Sequence, residues 1–410
     1  LRLIGRCCAL VGAVALMILP WPWGRLILPA ISPYVAICSA ISVRSISVVT
    51  LIGLPLLIPI IARRRWFCRN ACPMGLLAEQ AGRLHWWGSR RPVRLPPLGQ
   101  WIALVTLAGA CLGYPLLLWL DPLAMFTAPA NLFGQSAEIA RLAAGIGLPL
   151  VLLISFLWPN TWCRRLCPLG ATQDLLALSR WLGRGATAGL SSSAGHKPCE
   201  DTAGQASSGT QSAGKGPSRR PFSRPLPRRS VLALCLGAAW AAMARQWSGG
   251  KESRPLRPPG AVDEARFAGL CVRCGNCIRA CPTGIIRPDL EHGIAGLYAP
   301  VIEFEEGYCR EDCRQCTQVC PSGAIQLLTL EQKRHARLGL ARLDPEVCVV
   351  AAEDAECSAC LSACPYEAIK IVFNEEDYTS TPLIDSAKCP GCGACQVACP
   401  TVPKAIVVAT

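Results

Sequence analysis

Four groups of cysteine fill the last third of this 410-residue chain, and each closes on Cys-Pro. They are Cys271, Cys274, Cys277 and Cys281; Cys309, Cys313, Cys316 and Cys320; Cys348, Cys357, Cys360 and Cys364; and Cys389, Cys392, Cys395 and Cys399. Thiolates are soft ligands that suit zinc or iron–sulfur clusters. Steps of two intervening residues wrap a tight loop around a cofactor, and Gly275, Gly391 and Gly393 let the backbone come close enough for amides to reach sulfur. The last gap of three residues is about one helical turn, which would put both of its thiolates on one face. The proline that follows disfavours helix at the cysteine before it.

The first and fourth groups fit C-x2-C-x2-C-x3-C-P, the spacing that bacterial ferredoxins use for [4Fe–4S] clusters. The other two keep the C-x2-C-x3-C-P end and stretch the first gap, so Cys348 stands furthest from its group. In two-cluster ferredoxins the fourth cysteine ligates the partner cluster. Sixteen ligands then predict four clusters in two such pairs. Structural zinc would use separated cysteine pairs, often with His, and a disulfide framework would not repeat one short spacing four times. So many thiols leave little core without metal, so cluster binding and folding are expected to be coupled.

Two further pairs lie in the first half: Cys68-Arg-Asn-Ala-Cys72-Pro73 and Cys163-Arg-Arg-Leu-Cys167-Pro168. Together they supply four thiolates. They could form a fifth metal or cluster site, act as a redox thiol relay, or simply mark a structural turn. Of the 26 cysteines, Cys7, Cys8, Cys38, Cys111, Cys199 and Cys235 remain, and read as ordinary thiols.

The elements that must position these groups divide the chain. Residues 1–182 read as an all-α transmembrane bundle in membrane lipid. Its apolar runs at 3–19, 46–62, about 99–120 and about 142–158 are each long enough for a ~30 Å hydrocarbon layer. The run at 3–19 reads as a retained helix rather than a cleaved signal peptide. Arginines between residues 63 and 98, with Arg164 and Arg165, place both cysteine pairs on the cytoplasmic side. Residues 183–227, rich in Gly, Ser, Ala and Pro, read as a flexible linker. Arg228-Arg229 heads an apolar stretch to residue 244, either a twin-arginine-like export signal or a fifth membrane anchor. Residues 263–410 read as a tandem α+β ferredoxin-like domain, with strands at 300–304, 324–328, 339–343, 368–373, 382–385 and 405–408.

Charge follows the same division. From Asp263 onward there are 13 Lys and Arg against 20 Asp and Glu; before it there are 28 against 7. The basic half flanks apolar runs, a membrane pattern, so nucleic acid is not the expected partner. None of the four His lies inside an apolar run, and there is no C-x-x-C-H, so no haem is expected. No P-loop or dinucleotide fingerprint appears, and no catalytic residues are assigned.

The four groups, Arg228-Arg229 and the stretch from Ala336 to Leu343 resemble the ferredoxin-type proteins of periplasmic nitrate reductase and methylamine utilisation systems. The front half, in Trp66 to Leu77 and Trp162 to Leu176, resembles their four-helix membrane partners with two Cys-x3-Cys-Pro motifs. The chain then looks like a fusion of two proteins. The resemblance implies a multi-pass inner-membrane electron carrier, or a subunit of a quinol dehydrogenase, with its ferredoxin domain in the periplasm. It would take electrons from the quinone pool or a cytoplasmic donor and pass them to an exported redox enzyme or cytochrome. The alternatives are a maturation factor supplying electrons for cofactor assembly and a membrane redox or iron sensor.

Overall fold

Proline and arginine set the ends of several N-terminal helices. A computed structural model gives the fold and describes residues 2–18, 22–44, 48–84, 96–133, 145–177, 228–248, 254–352, 356–375 and 379–410. In chain order the N-terminal helices are α1 (Arg2–Ile18), α2 (Pro22–Ala30), α3 (Pro33–Val43), α4 (Val48–Ala62), α5 (Trp66–Asn70), α6 (Pro73–Arg83), α7 (Leu98–Cys111), α8 (Pro122–Thr127) and α9 (Gly147–Leu157). A π-helical turn, Trp162–Leu166, precedes helical residues 168–177, called α10. Helix α11 is Arg228–Ser248. Prolines open α3, α6 and α8, where the missing N–H costs nothing. Left-handed Arg44 ends α3, and left-handed Arg65 turns the chain into α5. The expected linker, 183–227, lies outside the described residues, as do Cys199, Arg90, Arg91 and Arg94.

The expected transmembrane bundle is corrected here. No helix among the described residues is long and apolar enough to cross a membrane. The run at 46–62 yields the 15 residues of α4, about 22 Å at 1.5 Å per residue. The run at 99–120 breaks after Cys111, where Gly113 takes a φ of +82° and the chain turns into Tyr114-Pro115. Helix α11 has 21 residues, but charged residues at both its ends hold down its apolar character.

The helices still form one packed body with two distinct ends. Helices α7 and α11 run parallel because small residues let their backbones meet: Gly237 lies on Val105, and Ala241 lies against Gly109. Ala233 and Ala241, four residues to either side of Gly237, are buried on this stripe, while Leu232, Leu236 and Trp240 face outward. At the start of α7, Gly99 rests on the carbonyl of Cys167. At its far end Tyr114 packs on Gly269 of the C-terminal domain. The cysteine pairs and the ferredoxin domain thus occupy opposite ends of a helix about 20 Å long.

The C-terminal domain is two copies of one small plan. Its helices are α12 (Glu264–Leu270), α13 (Asn276–Ala280), α14 (Gly293–Gly296), α15 (Gln315–Gln318), α16 (Leu330–His335), α17 (Val349–Ala352), α18 (Ala359–Ala363) and α19 (Ala394–Ala398). Strands β1 (Ile286–Pro288) and β2 (Pro300–Ile302) pair antiparallel, with Ile286 opposite Ile302. In the second half β4 (Ile369–Asn374) and β5 (Thr379–Ile384) pair in the same way, with Ile369 opposite Ile384. Strands β3 (Leu340–Leu343) and β6 (Ile406–Ala409) close that half, and the first half has the bridge Ala261 to Ile325 in the same place. The strand expected at 324–328 is therefore reduced to that bridge, while β1 was not expected.

One core runs through both halves, and its largest buried members include Phe267, Leu270 and Ile406. Arg257 ties the first half together. Its guanidinium pairs with Glu264 at 2.6 Å, donates to the Pro300 carbonyl at 2.9 Å and lies 4.9 Å over the Phe267 ring. Gly393 caps the start of α19 at a φ of +83°, and a Cβ there would run into the Phe304 ring. Gly284 has a φ of +70° but open space around it. Gly393→Ala is expected to cost about 2–4 kcal/mol, combining left-handed strain with overpacking, and Gly284→Ala about 1 kcal/mol. Thermal melts of the two cluster-loaded variants check the order, and equal melting temperatures would contradict it.

Candidate metal centres

Each cysteine group leaves its loop in two directions. Gly275 and Gly393, both left-handed, start α13 and α19 one residue after the second cysteine of their groups. The third cysteine lies in the short helix; the fourth follows it with an extended backbone, φ −73° and ψ 115° at Cys281. Here the structure corrects the one-face expectation. Pro282 takes Cys281 out of the helix, so Cys277 and Cys281 serve different cavities.

Four cavities result. Cys271, Cys274 and Cys277 share one with Cys320 from the second group. Cys309, Cys313 and Cys316 share one with Cys281 from the first. The second half repeats the exchange: Cys348, Cys357 and Cys360 with Cys399, and Cys389, Cys392 and Cys395 with Cys364. Cys348 therefore joins its site despite the stretched gap. The chain folds back immediately after it into α17, whose Ala351 and Ala352 amides donate to the Cys348 carbonyl.

Burial raises the thiols deep in these cavities above their ordinary value. Burial, then the neighbouring thiols Cys274, Cys271 and Cys320, raises Cys277 well above its ordinary value. Burial raises Cys392 to about 11 and Cys395 to about 12, with Cys364 and Cys389 adding to the effect. Four thiolates cannot share such a site without positive charge between them. Four thiols around each cavity, with the spacing ferredoxins use, suit a [4Fe–4S] cluster.

Several polar groups reach the sulfurs. Thr283 and Thr401 place hydroxyls 3.5 Å and 3.2 Å from Cys281 and Cys399. The Ile325 and Ala368 amides donate to Cys320 and Cys364 at 3.3 Å and 3.4 Å. At Cys399, burial acts to raise the thiol, but the Thr401 hydroxyl and nearby amides outweigh it and bring it below its ordinary value. These hydroxyls lie two residues past their cysteines, and the signal for them is the Cys-Pro-Thr pattern of the first and fourth groups. Lys333, 1% exposed, is a site residue that no sequence pattern marks. It hydrogen-bonds the Arg310 carbonyl and sets a positive charge beside Cys309.

The two Cys-x3-Cys-Pro pairs also come together. Cys68 lies on α5, Cys72 caps α6, Cys163 lies in the π-helical turn and Cys167 precedes α10. Burial, then Cys72 and Cys163, raises Cys68, and burial, then Cys68 and Cys163, raises Cys167. Gln173 donates to the Cys68 sulfur at 3.0 Å. Asp174 holds Arg64 and Arg65 at 2.7 Å each, and Arg65 also reaches the Cys163 carbonyl, so these arginines are fixed over the site.

Contacts link the sites in space. Cys274 and Val272 belong to the buried core of the helical body, together with Leu123 and Phe126. Arg279 donates to the Met17 carbonyl at 2.9 Å, and Arg273 lies 5.1 Å over Trp119. Between the two ferredoxin halves, the Cys309 amide in the second site donates to the Cys392 carbonyl in the fourth at 2.8 Å.

Cysteine groups that exchange their fourth members around paired cavities define an iron–sulfur protein of the ferredoxin type. The 4Fe-4S dicluster domain family matches residues 270–324 and 355–402, and a 4Fe-4S binding domain family matches residues 45–94 and 140–185, which bracket the Cys-x3-Cys-Pro pairs. The chain is 34% identical to the methylamine utilization ferredoxin-type protein MauM of Methylobacillus flagellatus, over 47% of this chain and 83% of that protein. It is 35% identical to the ferredoxin-type protein NapG of Escherichia coli, over 46% of this chain and 84% of that protein. It is 32% identical to the ferredoxin-type protein NapF of the same organism, over 37% and 83%. No solved structure matches. The chain belongs to the family of MauM and NapG ferredoxin-type proteins, and it is an iron–sulfur electron-transfer protein.

A buried cation beside cluster ligands stabilises the reduced, more negative state. Lys333→Met is expected to lower the midpoint potential of one cluster by on the order of 100 mV, the scale of one charge at close range in a protein interior. A redox titration followed by electron paramagnetic resonance reads the shift. An unchanged set of potentials would show that Lys333 is only a packing group.

Proposed function

We propose that the chain is a membrane-associated carrier that takes electrons at its arginine-rich end and delivers them through four [4Fe–4S] clusters to an exported redox enzyme or cytochrome. The observation that carries this reading is the spatial order of the cysteine sites. The first packs against the helical body through Cys274. It exchanges Cys281 and Cys320 with the second. The second meets the fourth through the hydrogen bond that the Cys309 amide donates to the Cys392 carbonyl. The fourth exchanges Cys364 and Cys399 with the third. The path is therefore first, second, fourth, third, which differs from sequence order.

A bound [4Fe–4S] cluster supplies reversible one-electron oxidation and reduction. The sixteen cysteines of the C-terminal domain hold four clusters in this reading, and Cys68, Cys72, Cys163 and Cys167 hold a fifth. The protein's own residues hold the thiolates, exclude water and place amides and hydroxyls on sulfur.

Membrane association is supported by apolar side chains turned outward on the helical body, including Val11, Ile18, Leu150, Leu153, Leu236 and Trp240. Arginines gather at the Cys68 end and the ferredoxin domain lies at the other, which fits a cytoplasmic and a periplasmic side of the inner membrane. Because α11 runs parallel to α7, its start lies on the side opposite the ferredoxin domain, as an export signal would require. The donor is a membrane quinol or a cytoplasmic carrier.

Exchange of ligands makes losses of iron non-additive in a particular pattern. Cys271→Ala combined with Cys320→Ala is expected to remove about four iron atoms, no more than either alone, while Cys309→Ala combined with Cys320→Ala removes about eight. Iron analysis with electron paramagnetic resonance measures this, and the reverse pattern would dismiss the exchange. A second measurement addresses the way in. Whichever of a ubiquinol analogue and reduced flavin mononucleotide reduces the full chain, Cys68→Ala with Cys167→Ala should slow that reduction at least about tenfold, with the four C-terminal clusters still reducible by dithionite. Reduction at the original rate would refute electron transfer through this end.

A further inference from the structure

A wide cavity opens beside the Cys-x3-Cys-Pro site, away from the ferredoxin domain. It holds about 620 Å³, within the range of small-molecule sites rather than of flat protein contacts. Arginines line it from four segments: Arg6 on α1, Arg63, Arg64, Arg65 and Arg69 before and on α5, Arg83 on α6 and Arg164 after Cys163. Glu79 pairs with Arg6 at 2.6 Å and Arg83 at 2.8 Å, and Asp174 pairs with Arg64 and Arg65. Two carboxylates therefore pair with four of the seven arginines. Among the described residues, Arg63, Arg69 and Arg164 have no acidic partner. Arg6 keeps a buried Nε without a hydrogen bond. Cys68, Cys163 and the half-buried Trp66 complete the wall.

A concave site with excess guanidinium groups recognises phosphate, which arginine binds through paired N–H donors. The thiols on the wall add a requirement. An iron–sulfur cluster accepts one electron at a time, so a carrier placed there must be able to give electrons singly; flavins do so, whereas nicotinamides transfer hydride. We infer that this cavity binds a flavin mononucleotide, with its phosphate among Arg63, Arg69 and Arg164 and its ring toward Trp66 and the Cys68–Cys163 edge. A flavin mononucleotide arriving in its reduced form would give two electrons one at a time to a cluster held by the four cysteines, which would pass the first on toward the ferredoxin domain before taking the second; the oxidised flavin would leave and two protons would go to solvent through the cavity mouth. The electron step rests on the proposed function, whereas the binding rests on the cavity alone.

The test is titration of the purified full chain with flavin mononucleotide and, separately, with riboflavin, which has the ring but no phosphate, followed by flavin fluorescence. Flavin mononucleotide should bind at least about tenfold more tightly than riboflavin, and Arg63→Ala with Arg69→Ala should remove most of that difference, consistent with the loss of charge-assisted hydrogen bonds. Cys72→Ala with Cys167→Ala, neither of which lines the cavity, should leave the binding in place while removing the iron at that site, which separates this inference from the proposed fifth cluster. Equal binding of the two flavins, or no binding of either, overturns the inference. So does capture of phosphatidylglycerol vesicles that is lost in the arginine variant while flavin mononucleotide does not bind, since the arginines would then serve a lipid headgroup.

Discussion

Sixteen cysteines converge on four cavities inside a core that also buries Phe267, Leu270, Phe304 and Ile406, and the shape of the domain answers this crowding. Burial, with the neighbouring thiols, raises side chains such as Cys274 and Cys277 above their ordinary value. Positive charge placed between them favours the thiolate, which couples ligand ionisation to cofactor binding. The short helices and two-stranded sheets would be weak alone. They hold because each site is fastened to its neighbour through exchanged cysteines, as Cys281 and Cys320 do in the first half. Proline enforces the exchange by turning the fourth cysteine out of its helix.

The duplicated plan also explains a difference between the halves. In the second, β3 and β6 share four register pairs from Leu340–Ala409 to Leu343–Ile406. In the first, the same place holds one bridge at Ala261. Two backbone hydrogen bonds flank that bridge, from Val262 to Ala324 and from Gln326 to Gly260. Gly260 leaves the extended conformation there with a φ of +80°, so the ladder cannot lengthen. The first half compensates with Arg257, whose ion pair with Glu264 and contact on Phe267 fasten the segment before α12 to the strand at Pro300.

Cysteine spacing alone made the metal chemistry legible, because spacing is local and a cluster loop is a local object. It also indicated the exchange of fourth ligands. It could not order the sites, since the Cys309–Cys392 contact is set by how two halves pack. Nor did it show Lys333, whose burial depends on α16 lying over the second site. Hydropathy was less reliable. The apolar run at 99–120 is long enough for one helix, but Gly113 and Tyr114-Pro115 end that helix early. The two Cys-x3-Cys-Pro pairs were legible as a possible set of four, and the structure gathers them beside the pairing of Asp174 with Arg64 and Arg65.

That last pairing bears on why the two ends of the molecule differ. Asp174 is buried and restrains two arginines beside Cys68 and Cys163. Cationic groups near thiolates favour their charged form, and they also attract anionic molecules from solution. Both effects act at one end only. At the opposite end the ferredoxin domain carries an excess of acidic residues, and its cysteine pockets are screened by apolar side chains such as Ile285 and Ile406. A charge gradient along the molecule thus accompanies the line of cysteine sites. A negatively charged molecule is attracted to the arginine end and repelled by the acidic one, so the same electrostatics that surround the sites make the two ends unlike.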